Sequence, residues 1–234
     1  ILTTLLAGCV LLSYAQKKPK INANKKAVMA SVEDKFEQLT ELSDKIWAYE
    51  EIAFQEVQSS KALSEFAEAQ GFRVTRGVAG IPTAFTAEYG SGEPVIGILG
   101  EFDALPGLSQ KAVPTKEPRN VGDPGHGCGH NLFGVASLGA ATAIKELIEA
   151  GELEGTVRFY GTPAEEKFFG KLWMVREGLF DDVDVCMDWH PSAETKANVQ
   201  KGLALVDFIV EFEGQAAHAS GDPWNGRSAS DALE

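Results

Sequence analysis

The sequence predicts an α/β fold, a sheet flanked by helices, followed by the start of a second domain. Three observations carry this. Residues 27–49 hold apolar side chains at three- and four-residue steps, the mark of an amphipathic helix. The run VIGIL at 95–99 is apolar throughout, as a strand buried on both faces should be. From there, the order strand, acidic or metal-type residues, helix recurs three times, which places site residues at corresponding ends of core strands, where ligands usually bind in an open α/β sheet.

The elements follow in order. The apolar run at 1–16, ILTTLLAGCVLLSYAQ, resembles the core of a secretory signal with a small-residue cleavage site near Ala15, and is short for a membrane span. It implies export, although Lys17, Lys18, Lys20, Lys25 and Lys26 on its far side mildly oppose it and leave a cytoplasmic location as the alternative. Helices are expected at 27–49 and 54–70, the second stopped by Gly71. Short strands follow at 72–75, 83–88 and 94–99, the last delivering Glu101 and Asp103 at its end. A proline-punctuated loop at 105–125 is long enough to imply function.

The stretch GHGCGHN at 125–131 sets His126, Cys128 and His130 within five residues, just before a helix at 132–149. Thiolate and imidazole both bind zinc-like ions, and the spacing of Cys128 and His130 lets both reach one ion from a tightly turned backbone. Asn131 is expected to cap the helix, whose positive end should lower the pKa of Cys128. A strand at 156–160 stops at GTPAEE, where the like charges of Glu165 and Glu166 need something positive nearby; adjacent residues of an extended chain point opposite ways, so the two can take different roles only where the backbone turns, which Pro163 allows. A helix at 171–177 and a strand at 183–187 lead to His190. From about residue 200 the texture changes to an alternating, strand-like run at 203–212, then GQAAHASGDPWNGRSA, and the last seven residues read as the first turns of a helix. Both ends look cut.

A formal charge of -13 argues against nucleic acid or an anionic membrane as partner. Three cysteines cannot make a disulfide framework, so thiol chemistry or metal ligation stays open.

Five segments in this order and spacing, EFDALPG, GHGCGHN, YGTPAEE, DWHP and QAAHAS, resemble the metal-dependent amidohydrolases of the M20 peptidase family, in its aminobenzoyl-glutamate hydrolase branch, over residues 26–234. The resemblance implies a di-metal catalytic domain at 26–200 and the truncated start of a smaller α+β dimerisation domain at 201–234. It implies two divalent ions, zinc or manganese foremost, held by Cys128, His130, Glu166 and His190, with Cys128 in place of a bridging carboxylate. Glu165 is then the general acid/base and Asp103 the supporting aspartate; Glu101, standing where other branches have a ligand histidine, is left out of the metal set. His218 matches a histidine that reaches the partner's site in family dimers, which implies a homodimer. A final histidine ligand is expected beyond residue 234, and Lys167, Phe168 and Phe169 depart from the small residues relatives often carry.

The implied reaction is hydrolysis of the amide of an N-acyl amino acid such as aminobenzoyl-glutamate. A dipeptidase, a non-catalytic binding subunit and a hydrolase using Cys128 as nucleophile are the alternatives.

Overall fold

A computed structural model describes residues 21–197, 199 and 202–234. The apolar segment at 1–16 lies outside the described residues. Two compact units divide the chain, one ending at Ser192 and the other spanning Ala193–Glu234.

The first unit is a five-stranded sheet with helices packed on it. Asn22 caps α1 (Ala23–Asp34) by accepting from the Lys25 amide at 2.9 Å. A break at Lys35 separates it from α2 (Phe36–Tyr49), so the single helix expected at 27–49 is two. The apolar stripe runs on through the break, with Val32, Leu39, Leu42 and Ile46 all on the core. Periodicity therefore carries no trace of the interruption. At the break, the Lys35 ammonium donates to Ser31 Oγ and pairs with Glu146 of the later helix α4 (His130–Glu149). After α3 (Val57–Ala69) come β1 (Arg73–Arg76), β2 (Phe85–Ser91), β3 (Val95–Glu101), α4, β4 (Gly155–Thr162), α5 (Gly170–Arg176) and β5 (Val185–Met187).

The strand order is β1-β2-β4-β3-β5. β1 and β2 are antiparallel to their neighbours, whereas β3 runs parallel to both β4 and β5. Glu101 pairs with Thr162, so β3 and β4 end at the same level and their following segments emerge side by side. Ile46, Leu63, Phe85, Phe102, Leu138 and Phe159 fill the core between sheet and helices. Gly134 lets α4 lie directly on β3: a Cβ there would sit 2.6 Å from the Glu101 carbonyl oxygen. This close approach fixes the start of α4 against the end of β3.

In the second unit a 3-10 turn at Pro223–Asn225 precedes α6 (Ala229–Leu233), which Ser228 caps by accepting from the Asp231 amide at 3.1 Å. Gln215 and Arg227 exchange backbone hydrogen bonds, 2.9 Å each way. The strand expected at 203–212 does not form: among the described residues no ladder includes it, and Leu203, Leu205, Phe208 and Ile209 are exposed. Alternation supplies a side-chain pattern, but a strand also needs a neighbour to pair with. Among the described residues no helix is long and apolar enough to cross a membrane.

Candidate metal centre

The parallel strands deliver the site. β3 ends at Glu101 and continues into Asp103, both buried. β4 runs into the turn carrying Glu165 and Glu166, and β5 into His190. The GHGCGHN loop closes over these ends. Its glycines do different work: Gly129, at φ 79°, is the left-handed residue before α4, while a Cβ on Gly125 would lie 2.2 Å from the Leu108 carbonyl oxygen. α4 already begins at His130, so Asn131 is not its cap. Asn131 is inside the helix and donates to Ser43 Oγ at 3.1 Å, tying α4 to α2.

His130 is the hub. Its Nδ1 lies 2.9 Å from Asp103 Oδ1, so Nδ1–H donates to the carboxylate and Nε2 is left to face the site. That nitrogen is 2.9 Å from Glu101 Oε2 and 3.9 Å from both Glu165 Oε2 and Glu166 Oε1. His190 is set the same way: Nδ1 donates to the Pro191 carbonyl at 2.9 Å, and Nε2 lies 3.3 Å from Cys128 Sγ. The rings of His130 and His190 stand edge-to-face with centroids 5.6 Å apart, and both pack on Phe133.

Among the described residues, two groups of side chains offer ligand atoms within 4.8 Å of one another: Cys128, His130 and His190, and Glu101, His130 and Glu165. Glu166, expected as a ligand, falls outside both groups, although its Oε1 is buried at the same centre. Glu101, set aside on the sequence, is inside one. The signal that could have found it is present, since it stands at the same strand end as Asp103.

The electrostatics are those of a site short of positive charge. Burial opposes charging His130, but Asp103 and Glu101 outweigh it and hold the imidazole well above its ordinary pKa. Burial likewise pushes Glu101 up, and the neighbouring His130 and Lys171 ammonium overcome it to leave the carboxylate below its usual range. Burial and the charge of Glu101 raise Glu165. The Cys128 thiol is pushed up to about 12, first by burial and then by Glu166 and Glu165, opposite to the lowering expected from the helix end. Burial and nearby carboxylates together outweigh the partial charge of a helix terminus.

A divalent cation fits this arrangement. Among the described residues, Glu166 Oε1 is buried with no hydrogen-bond partner, and Glu101 Oε2 and His130 Nε2, 2.9 Å apart, are buried with none besides each other. Buried polar atoms are rarely left so, and three converging on one point mark a place for an ion that accepts lone pairs from all of them. Sulfur, nitrogen and oxygen donors together suit zinc and its neighbours.

Behind the site lies a buried carboxyl that no sequence pattern singles out. Burial raises Glu56 to about 7 from 4.5. The folded state therefore binds a proton that the unfolded chain gives up between those pH values, and stability falls as pH rises through that window. At 1.36 kcal/mol per pKa unit the loss is on the order of 3 kcal/mol. Glu56→Gln removes that slope, so it should match the parent near pH 4 and exceed it in stability at pH 8. Urea denaturation across this range checks it; parallel pH profiles for both proteins would contradict the assignment.

His218 lies in the second unit, where its Nδ1 accepts from the Gly221 amide at 2.9 Å and the Ser220 amide at 3.3 Å. Those bonds place the proton of the neutral ring on Nε2.

Residues 97–229 match the family model described as peptidase family M20/M25/M40. The chain is 47% identical over 205 residues to the B subunit of p-aminobenzoyl-glutamate hydrolase of Escherichia coli K12, covering 87% of this chain and 42% of that protein. It is 34% identical over 223 residues to human Xaa-Arg dipeptidase, covering 86% and 46% respectively. Among solved structures, a dinuclear metal-binding peptidase of the M20 family from Bacillus subtilis aligns with a TM-score of 0.56 and 28% identity, over 68% of this chain and 42% of that one. The chain thus spans less than half the length of each.

Proposed function

Because the chain belongs to peptidase family M20/M25/M40, we propose that it forms the metal-binding half of a hydrolase cleaving the amide of N-acyl amino acids of the aminobenzoyl-glutamate type. The observation that carries the reading is the meeting, at the ends of the parallel strands, of Cys128, His130 and His190 with Glu101, Glu165 and the unpartnered Glu166. Cys128, His130, Glu166 and His190 are assigned to two divalent ions, zinc or manganese. Such ions, when bound, supply Lewis acidity and bring the pKa of water from 15.7 to about 7.

The chain's own groups do the rest. Asp103 fixes the His130 tautomer through Oδ1 and holds the Glu166 amide through Oδ2, at 2.9 Å in both cases. Glu165 is less buried than Glu166 and is raised by burial and Glu101, which suits a group that takes a proton from water and returns it to the leaving amine. Glu101, paired with Lys171, holds negative charge beside Glu165 and keeps its proton affinity high.

We assign residues 26–200 to the catalytic domain and 201–234 to the start of a smaller domain, and read the assembly as a homodimer in which His218 donates from Nε2 to the developing oxyanion of the partner's substrate. The Escherichia coli relative is named as one subunit of its hydrolase, which supports a partnership with a different chain as the second reading. The apolar segment at 1–16 supports export.

The test is a screen of N-acyl amino acids and dipeptides, aminobenzoyl-glutamate first, on the intact protein with added zinc or manganese. Hydrolysis should stop with a chelator and return with metal. Activity that survives chelation and is lost to thiol alkylation would replace this reading with a Cys128 nucleophile.

A further inference from the structure

The Glu165–Glu166 turn is held in a costly backbone shape. Ala164 has φ 58°, the left-handed region that an L-residue other than glycine rarely occupies. Two hydrogen bonds hold it on either side of Glu165. The Glu166 amide donates to Asp103 Oδ2 at 2.9 Å, and the Ala164 amide donates to Glu56 Oε1 at 2.8 Å. The first partner belongs to the site already described. The second comes from another layer of the fold, at the start of α3, more than a hundred residues away in sequence.

Glu56 occupies the N-cap position of α3 but does not cap it. Glu51 does that instead, accepting from the Gln58 amide at 2.9 Å and the Ser59 amide at 2.8 Å. The Glu56 carboxyl is thereby released to turn inward, where it is fully buried and its other oxygen accepts from Thr83 Oγ1 at 3.1 Å. Among the described residues no basic side chain pairs with it. A carboxyl buried without a cation costs stability, so its placement needs a reason beyond packing. The bond to Ala164 supplies one.

We infer that Glu56 is a positioning residue: by anchoring the Ala164 amide it holds the left-handed turn that brings Glu165 and Glu166, adjacent in sequence, each to 3.9 Å from the same His130 nitrogen. The inference rests on the reading of Glu165 as the acid/base only for its consequence in turnover; the anchor itself is a structural claim. What matters is the acceptor oxygen, not the charge. A glutamine can accept from Ala164 through Oε1 and donate to Thr83, whereas a methionine fills the same volume and accepts nothing of comparable strength.

Amide hydrogen exchange on the chain separates these. Glu56→Met should speed exchange at Ala164 and Glu166 by about tenfold or more while Leu138 and Phe159 keep their protection, and Glu56→Gln should stay within about threefold of the parent. Thr83→Val, which removes only the second partner of Glu56, is the milder variant and should speed exchange at Ala164 by about threefold. In the intact protein turning over aminobenzoyl-glutamate, Glu56→Met should lower kcat about tenfold with KM little changed, and Glu56→Gln should restore it. Unchanged exchange at Ala164 in both Glu56→Met and Thr83→Val, loss of protection across the whole unit instead of at the turn, or local loss with normal kcat would each overturn the inference. Normal turnover in Glu165→Gln, by contrast, removes the acid/base reading and leaves the exchange result standing.

Discussion

Replacing Glu165 with Gln should lower kcat for amide hydrolysis by about 10²–10⁴-fold, the range a positioned acid/base contributes, while the bound metal per chain stays unchanged. The side chain keeps its size and loses only its ability to take and return a proton. Its carboxylate lies 3.9 Å from His130 Nε2 and belongs to one of the two candidate ligand groups, so the alternative is that it binds metal and Glu166 does the proton work. The two are separable. Metal content that falls in Glu165→Gln, with Glu166→Gln keeping its metal but losing turnover, would exchange the roles.

Replacing His130 with Ala should have the largest effect on the site as a whole. The imidazole is fully buried and is the side chain shared by both ligand groups. Its loss leaves Asp103 Oδ1 without its donor and Glu101 with Lys171 alone, and stripping one partner from a buried charged pair costs about 3–5 kcal/mol. Zinc affinity should fall by more than the roughly 10–100-fold expected when a residue behind a ligand is removed. Urea denaturation and calorimetric zinc titration measure the two losses. A variant of normal stability that binds zinc as tightly as the parent would mean that the hub is elsewhere.

Much of this is legible in the sequence, and the reasons are specific. Cys128 and His130 announce themselves by spacing in a glycine-rich loop, and the apolar run into Glu101 and Asp103 marks a buried strand ending at a site. His190 and the Glu165–Glu166 pair are placed by the repeated order of strand, site residue and helix, which the parallel pairing of β3 with β4 and β5 explains. What escapes depends on contacts between distant residues. The break at Lys35 interrupts no pattern because the apolar stripe continues through it. Asn131 looks like a cap, yet its amide is used in a bond to α2, and the helix starts where Gly129 can take a left-handed backbone. Glu56 stands in EIAFQEVQSS with no pattern that marks it; only the fold shows that Glu51 caps α3 in its stead. The rise at Cys128 likewise follows from burial and from carboxylates brought close by folding, and not from the helix that follows it in sequence.

The central claim is that a thiolate and imidazoles from far-apart segments share a cation. Zinc K-edge absorption on the zinc-loaded protein tests it most directly. The expected result is one sulfur neighbour at about 2.3 Å beside nitrogen and oxygen neighbours at about 2.0–2.1 Å, with the sulfur lost in Cys128→Ser. Zinc surrounded only by light atoms in the parent protein, or a sulfur neighbour that survives the Cys128 replacement, would contradict it.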